Sequence, residues 1–260
     1  MHDTAGKVTH NHVKVTHNHV KVGTIREISR YPVKSLGGET LDMCEIESYG
    51  LQGDRICSFR DETKQGWGQF VTARNTPAML NYKASFQEDR GIRVTAPDGR
   101  IMGWDEELLQ EIQGMVKKPI SMSRLMEPHP EAEHSSLLSV DGASVLLVTD
   151  ASLRKLEQLW GKPVDQRRFR GNFVIDLNDD SLFEGDWIGR QLDIGGARLQ
   201  VDSFCERCVF ITIDPDSQEK DPSLLRKVYE DFGLHFGVYA SVVRTGTVRT
   251  GDEVTLVGQA

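Results

Sequence analysis

Between Gly23 and Val257, apolar and polar residues alternate in many short stretches, and only three stretches carry a helical repeat. A period of two puts successive side chains on opposite faces of a strand, so each stretch buries one face and wets the other. "GTIREIS" and "DMCEIES" alternate on either side of a break at "YPVKSLGG", and "RICSF", "GQFVTA" and "ASFQ" follow as short strands. "IRVTAPDGRIMGW" predicts a hairpin turning at Pro97-Asp98-Gly99. Further on, "ASVLLV", "NFVIDL", "ARLQVDSF", "VFITI", "YASVV" and "EVTLV" are strands again. Strands this short and numerous predict a barrel or curled sheet rather than a doubly wound one.

The helical stretches carry their own boundaries. "DEELLQEIQ" (Asp105 to Gln113) is closed by Gly114, and "DASLRKLEQLW" has Thr149 as N-cap and Gly161 as its stop. The second is predicted to bury Leu153, Leu156 and Leu159. "PSLLRKVYEDF" has Asp221 as cap, Pro222 at its first position and Gly233 after its end. A chain of 260 residues exceeds the roughly 100–150 of one domain, and the polar "MEPHPEAEHSS" (Met126 to Ser136) is the best linker. The expected organisation is a tag-like or disordered tail over 1–22, a smaller β-rich domain over 23–128 and a second over 129–260. The fold class is α+β, β-rich.

Composition excludes some functions. A net charge of −8 speaks against a nucleic-acid partner, while leaving room for a local cationic pocket. No apolar run reaches a membrane span and no secretory signal opens the chain, so a cytoplasmic protein without a membrane partner is expected. The four cysteines, Cys44, Cys57, Cys205 and Cys208, are too few for a disulfide scaffold. In the tail "KVTHNHV" occurs twice in succession, and the tail as a whole holds five of the eight histidines. These could catch Ni²⁺ or Zn²⁺ adventitiously, yet an exact copy without an apolar face predicts a segment that packs against nothing.

"FCERCVFITI" encloses one acid and one base between Cys205 and Cys208. Zinc would need two more ligands, and Cys44 and Cys57 lack knuckle spacing. A redox pair would sit at a helix N-terminus, where "VFITI" predicts a strand. Two inert buried thiols remain the plain structural reading. The surrounding basic groups, "RRFRG", "YPVKS" and "GDR", add a further one: a soft thiolate among cations suits a metal carried by an anionic, phosphate-bearing ligand.

Nine pieces in order carry a resemblance: "YPVKS", "GDR", "FVTAR", "LLVTDASL", "RFRGN", "CERC", "TIDPD", "FGVYA" and "TGDEVTLVG". Over residues 23–260 the chain resembles the molybdenum-cofactor sulfurase C-terminal (MOSC) domain family with its β-barrel N-terminal companion. Within that family it is similar to the amidoxime-reducing component and its bacterial relatives. The resemblance implies a MOSC-type β-barrel for the second domain, molybdenum cofactor as the bound group, and Cys208 as both metal ligand and catalytic residue. It implies that Lys34, Ser35, Arg55, Arg170 and Asn172 hold the pterin and its phosphate, with Arg207 favouring the ionised sulfur beside them. Asp141 matches an acidic position suited to the site wall or proton delivery, and fits a plain turn in "VDGAS" equally well. Cys205 becomes a packing residue.

The implied reaction is two-electron reduction of N-hydroxylated substrates: amidoximes, hydroxylamines or N-hydroxylated bases. With no ferredoxin domain after the barrel and no membrane anchor, electrons are expected from a separate ferredoxin, flavodoxin-type reductase or cytochrome b5-like protein. Sulfur transfer or cofactor carriage through a persulfide, and a non-catalytic binding domain, are the alternatives. Two departures from the family pattern stand out: Glu206 replaces a small hydroxyl residue, and Arg170-Gly171-Asn172 replaces "RPN".

Overall fold

The computed structural model describes residues 19–124, 144–179 and 183–257. The first half holds β1 (Val20–Arg30), β2 (Glu39–Leu41), β3 (Met43–Glu47), β4 (Gly50–Leu51) and β5 (Cys57–Asp61). It continues with β6 (Lys83–Phe86), β7 (Ile92–Thr95), β8 (Ile101–Met102), α1 (Glu106–Gln113) and β9 (Ile120–Arg124). The second half holds β10 (Val145–Thr149), α2 (Asp150–Trp160), β11 (Phe173–Leu177), β12 (Gln191–Ile194) and β13 (Ala197–Glu206). It closes with α3 (Pro222–Phe232), β14 (His235–Arg244), β15 (Gly246–Arg249) and β16 (Glu253–Val257). No helix among the described residues is long and apolar enough to cross a membrane.

Seven strands close a barrel in the order β11-β10-β14-β13-β12-β16-β1, and β1 pairs back onto β11. Closure removes the open sheet edges that would otherwise invite pairing with another chain. β10 and β11 are the parallel pair and α2 is their crossover, as a parallel connection requires. The N-terminal strand is therefore a barrel stave. Val22, Ile25 and Ile28 point inward with Phe173, Leu192, Val201 and Val254. Cys44, Ile46 and Leu51 join the same core, while β3 pairs with β15.

A second core forms around Val33, Phe59, Met79, Leu108, Ile112 and Ile120, and Ile213 reaches it from the C-terminal half. The packing thus interleaves the two halves of the chain, whereas the boundary expected at residue 128 lies outside the described residues. At the start, the tail expected over 1–22 must be shortened. Val20 and Lys21 pair with Leu256 and Thr255, and Val22 is fully buried in the barrel. Removing residues 1–22 should therefore destabilise. The loss of one buried Val and its ladder bonds is worth about 2–3 kcal/mol, or roughly 4–10 °C in the unfolding midpoint measured by circular dichroism. An unchanged midpoint would show that this end of β1 contributes nothing.

The helix caps stand where the sequence places them. Thr149 accepts from the Ser152 N–H, Asp221 from that of Ser223, and Gly161 and Gly233 end their helices in left-handed backbone. Leu153 and Leu156 are buried, but Leu159 is 40% exposed. Steps of three residues drift back about 60° each on a helix of 3.6 residues per turn, so the third leucine leaves the face of the first. Two expected strands give way, in part or wholly, to 3-10 turns. "GQFVTA" opens within Gly66–Gln69, where Gly66 has a positive φ. "VFITI" becomes Val209–Thr212, because its carbonyls are claimed: Thr212 Oγ1 donates to Val209 O, and Arg168 Nη1 to Thr212 O at 3.0 Å. β9, β12 and β15 are strands that the alternation did not reveal.

Candidate functional site

The two basic motifs of the N-terminal half are knitted together at the mouth of β5. The Tyr31 N–H donates to Asp54 Oδ1 at 2.7 Å. The Arg55 N–H donates to Tyr31 O, and the Lys34 N–H to Cys57 O, each at 2.8 Å. "YPVKS" and "GDR" are therefore one structure. It faces the 3-10 turn Gln166–Phe169, whose C-cap is Arg170. Arg55 Nη2 crosses to Arg170 O at 3.0 Å, and Arg170 Nη1 crosses back to Leu36 O at 2.8 Å. Both guanidinium groups lie over the Tyr31 ring, Arg55 at 5.1 Å and Arg170 at 4.0 Å from its centroid. Burial pushes the Tyr31 hydroxyl pKa up, against the pull of Arg170 and Arg55. The phenol stays neutral, and its ring offers both cations a favourable contact.

Three of these residues adopt a backbone that side chains avoid. Ser35, Arg55 and Arg170 have φ of 67°, 52° and 52°. Left-handed backbone costs a residue with a Cβ about 1–2 kcal/mol, and such strain persists where the surrounding structure over-determines it. None of the three is a glycine, so nothing in the sequence announces the conformation.

These residues meet Cys208 in one cleft. Lys34, Ser35, Arg55, Arg170, Asn172 and Cys208 all line it, as do Glu206 and Arg207. Cys208 is exposed and Cys205 is buried, with the Cys205 Sγ 3.8 Å from Glu206 O. The two thiols therefore do not act as an equivalent pair. Cys44 and Cys57 sit in the two cores, where burial pushes each thiol up to about 12 and leaves it inert. Among the described residues, no three His, Cys, Asp or Glu side chains converge on a metal-sized site. A metal at Cys208 would find no further set of protein ligands among the described residues. Asp141 lies outside the described residues.

Two residues expected to touch a ligand are committed largely to backbone. Asn172 is buried; its Oδ1 accepts from the Leu146 N–H at 3.0 Å and from Arg55 Nη1 at 3.4 Å, while Nδ2 donates to Ser29 O at 3.2 Å. It acts as a bracket joining β1, the start of β10 and Arg55. Asn172→Ala would strand two buried backbone groups. The expected cost is roughly 2–3 kcal/mol, about 5–10 °C in the unfolding midpoint; a midpoint equal to wild type would remove the bracket from this description. Arg207 also turns inward, donating from Nε to Phe236 O at 2.7 Å and from Nη1 to Phe169 O at 2.8 Å. It fixes the carbonyls of Phe236 and of Phe169, the residue before Arg170, and its Nη2 is buried without a hydrogen-bond partner among the described residues.

Sequence reasoning passed over Tyr31, although it lies inside a quoted motif, and Arg168. Arg168 is buried and donates from Nη2 to Asp214 Oδ2 at 2.7 Å, tying "RFRGN" to "TIDPD". An arginine within a basic cluster gives no sign of which member turns inward.

Comparison with known proteins places this arrangement. Human mitochondrial amidoxime-reducing component 1 is 27% identical over 290 residues, spanning 92% of this chain and 84% of that protein. Molybdenum cofactor sulfurase from Bombyx mori is 28% identical over 166 residues, spanning 60% of this chain and 20% of that protein. Among solved structures, the YUAD protein from Bacillus subtilis shares the fold, with a TM-score of 0.50 at 13% identity over 94% of this chain and all of that one. The MOSC N-terminal beta barrel domain matches residues 22–123 and the MOSC domain residues 134–255; the chain belongs to the MOSC family.

Proposed function

We propose that the chain holds molybdenum cofactor in this cleft, with Cys208 as the metal's protein ligand, and reduces N-hydroxylated compounds with electrons from a separate donor protein. The observation that carries the reading is the convergence of an exposed thiol with Lys34, Arg55 and Arg170 in one cleft between the two cores. Clefts between packed units are preferred ligand sites. The donor set suits the group: one soft thiolate for the metal, cations for a phosphate, and polar groups for a heterocycle. The buried Arg207 Nη2 supports the same fit, since an unpaired buried donor costs about 1–3 kcal/mol unless a ligand or water meets it.

In this reading Lys34 and Arg170 neutralise the phosphate, while Ser35 offers a hydroxyl beside them. Asn172 and Arg207 act as positioning residues: the first orients Arg55, the second ties the residue before the thiol to the carbonyls of Phe169 and Phe236. When bound, the cofactor supplies a two-electron couple that cleaves an N–O bond. Two protons enter and water leaves, and Asp141 is the chain's proposed proton source. The donor is a ferredoxin, a flavodoxin-type reductase or a cytochrome b5-like protein. The two domains are proposed to divide near residue 128, with the barrel recruiting β1 across that line.

Protein from a cofactor-competent host should contain molybdenum and pterin in near-equal amounts and reduce benzamidoxime with a reduced viologen dye. Molybdenum without reduction would favour cofactor carriage, and absence of molybdenum would overturn the reading.

A further inference from the structure

The cleft continues beyond Cys208. A second hollow shares Lys34, Thr72 and Arg74 with it and is lined by Val209, Trp67 and Phe70. Phe70 is anchored, because it bridges to Arg60 of β5 and the next N–H, of Val71, donates to Phe59 O at 2.9 Å. Trp67 is carried outward on the turn Gly66–Gln69, which buries none of its residues. A Cβ at Gly66 or Gly68 would meet nothing within 4 Å, so these glycines serve no packing contact and leave the indole uncovered. Trp67 is 49% exposed and Val209 44%. Their neighbour Phe70 meets the indole edge-on, with centroids 5.1 Å apart.

Lys34 Nζ lies 4.7 Å from the Trp67 centroid and 5.3 Å from that of Phe70. The side chain that lines the cleft thus also lies over the aromatic floor, so the two spaces adjoin at Lys34. Trp67, Phe70 and Val209 belong to none of the hydrophobic cores among the described residues. Among the described residues the hollow is lined by the cations Lys34, Lys64 and Arg74 and by no carboxylate, although Asp61 pairs with Lys64 at 3.6 Å from outside the lining. An apolar, aromatic floor with a positive border attracts flat rings and disfavours cations.

Resting on the reading of Cys208 as the metal's ligand, we propose that this hollow seats the part of the substrate that does not react. It selects flat aromatic N-hydroxylated compounds that are neutral or bear a carboxylate over cationic ones. Val209 follows Cys208 directly, so a ring on this floor leaves its N-hydroxy group within the cleft at the thiol. Trp67 and Phe70 are then specificity-determining residues.

The test uses the full chain purified from cofactor-competent cells, with isothermal titration of benzamidoxime and its 4-carboxylate and 4-trimethylammonium derivatives. Trp67→Ala should weaken benzamidoxime binding about tenfold, and Trp67→Phe less than about threefold, as loss and retention of one aromatic contact require. Wild type should bind the carboxylate at least about fivefold tighter than the trimethylammonium compound, and Lys64→Glu should narrow that gap. In turnover, Trp67→Ala should raise KM for benzamidoxime more than for hydroxylamine, which has no ring to seat. Unchanged benzamidoxime affinity in Trp67→Ala, or equal affinity for the two charged derivatives, overturns the inference even if wild type reduces benzamidoxime. The expected binding pattern in a chain that reduces none of these compounds supports the hollow and overturns the reductase reading.

Discussion

Cys208→Ser should empty the cleft of molybdenum and abolish reduction of N-hydroxylated compounds, while the unfolding midpoint stays within about 2 °C of wild type. The fold has little to lose at this position. Cys208 is exposed, and as N-cap of the turn Val209–Thr212 its side chain makes no capping hydrogen bond. A serine hydroxyl is nearly isosteric but stays protonated and hard, so it replaces a thiolate poorly on a soft metal. Cys205→Ser should do the reverse. That side chain is 2% exposed, so the polar hydroxyl costs stability, on the order of 1 kcal/mol, and the metal remains. Equal loss of metal in both variants would mean that the two thiols act together.

Lys34→Ala and Arg170→Ala should each deplete molybdenum and pterin together, with Cys208 still present. The two residues are far apart in sequence but line one cleft. A charge-assisted contact to phosphate contributes about 1.5–3 kcal/mol, so each loss should weaken retention roughly ten- to a hundredfold. Arg170 has a structural share as well, through Leu36 O and the Tyr31 ring, so Arg170→Ala should also lower the unfolding midpoint. Metal and pterin content should therefore be measured well below the lower midpoint. Full cofactor in Lys34→Ala would remove Lys34 from the site.

The barrel is legible where its inward positions alternate. In "ARLQVDSF" the residues Ala197, Leu199 and Val201 are all buried, and a slip of one residue would expose them together. The caps at Thr149, Asp221 and Gly233 are legible for a similar reason, since each acts within a few residues of itself. Long-range events are not. β1 pairs with β11 across about 150 positions of chain, and no local pattern states that register. "VFITI" has strand-forming residues, yet Arg168, remote in sequence, takes the carbonyls a neighbouring strand would need.

The site divides in the same way. The family resemblance, rather than residue type alone, marked Lys34, Arg55, Arg170 and Cys208 as candidates, and the fold brings them to one cleft. Residue type could not show that Asn172 and Arg207 spend most of their donors on backbone, because a polar side chain looks the same in sequence whichever way it turns. Nor could it show Tyr31 between two guanidinium groups, or the left-handed backbone of three non-glycine residues.

Alkylation of Cys208 tests the proposed ligation most directly. Protein from cells supplied with molybdate and protein from cells starved of it would be treated with iodoacetamide under native conditions, and Cys208 labelling read by peptide mass spectrometry. Cys208 is exposed in the fold itself, so it should label readily in the starved protein. In the molybdenum-loaded protein it should be protected in proportion to bound metal, with protection lost when the metal is stripped. Complete labelling of Cys208 in protein that retains its full molybdenum would contradict the proposal, because the metal would then be held without this sulfur.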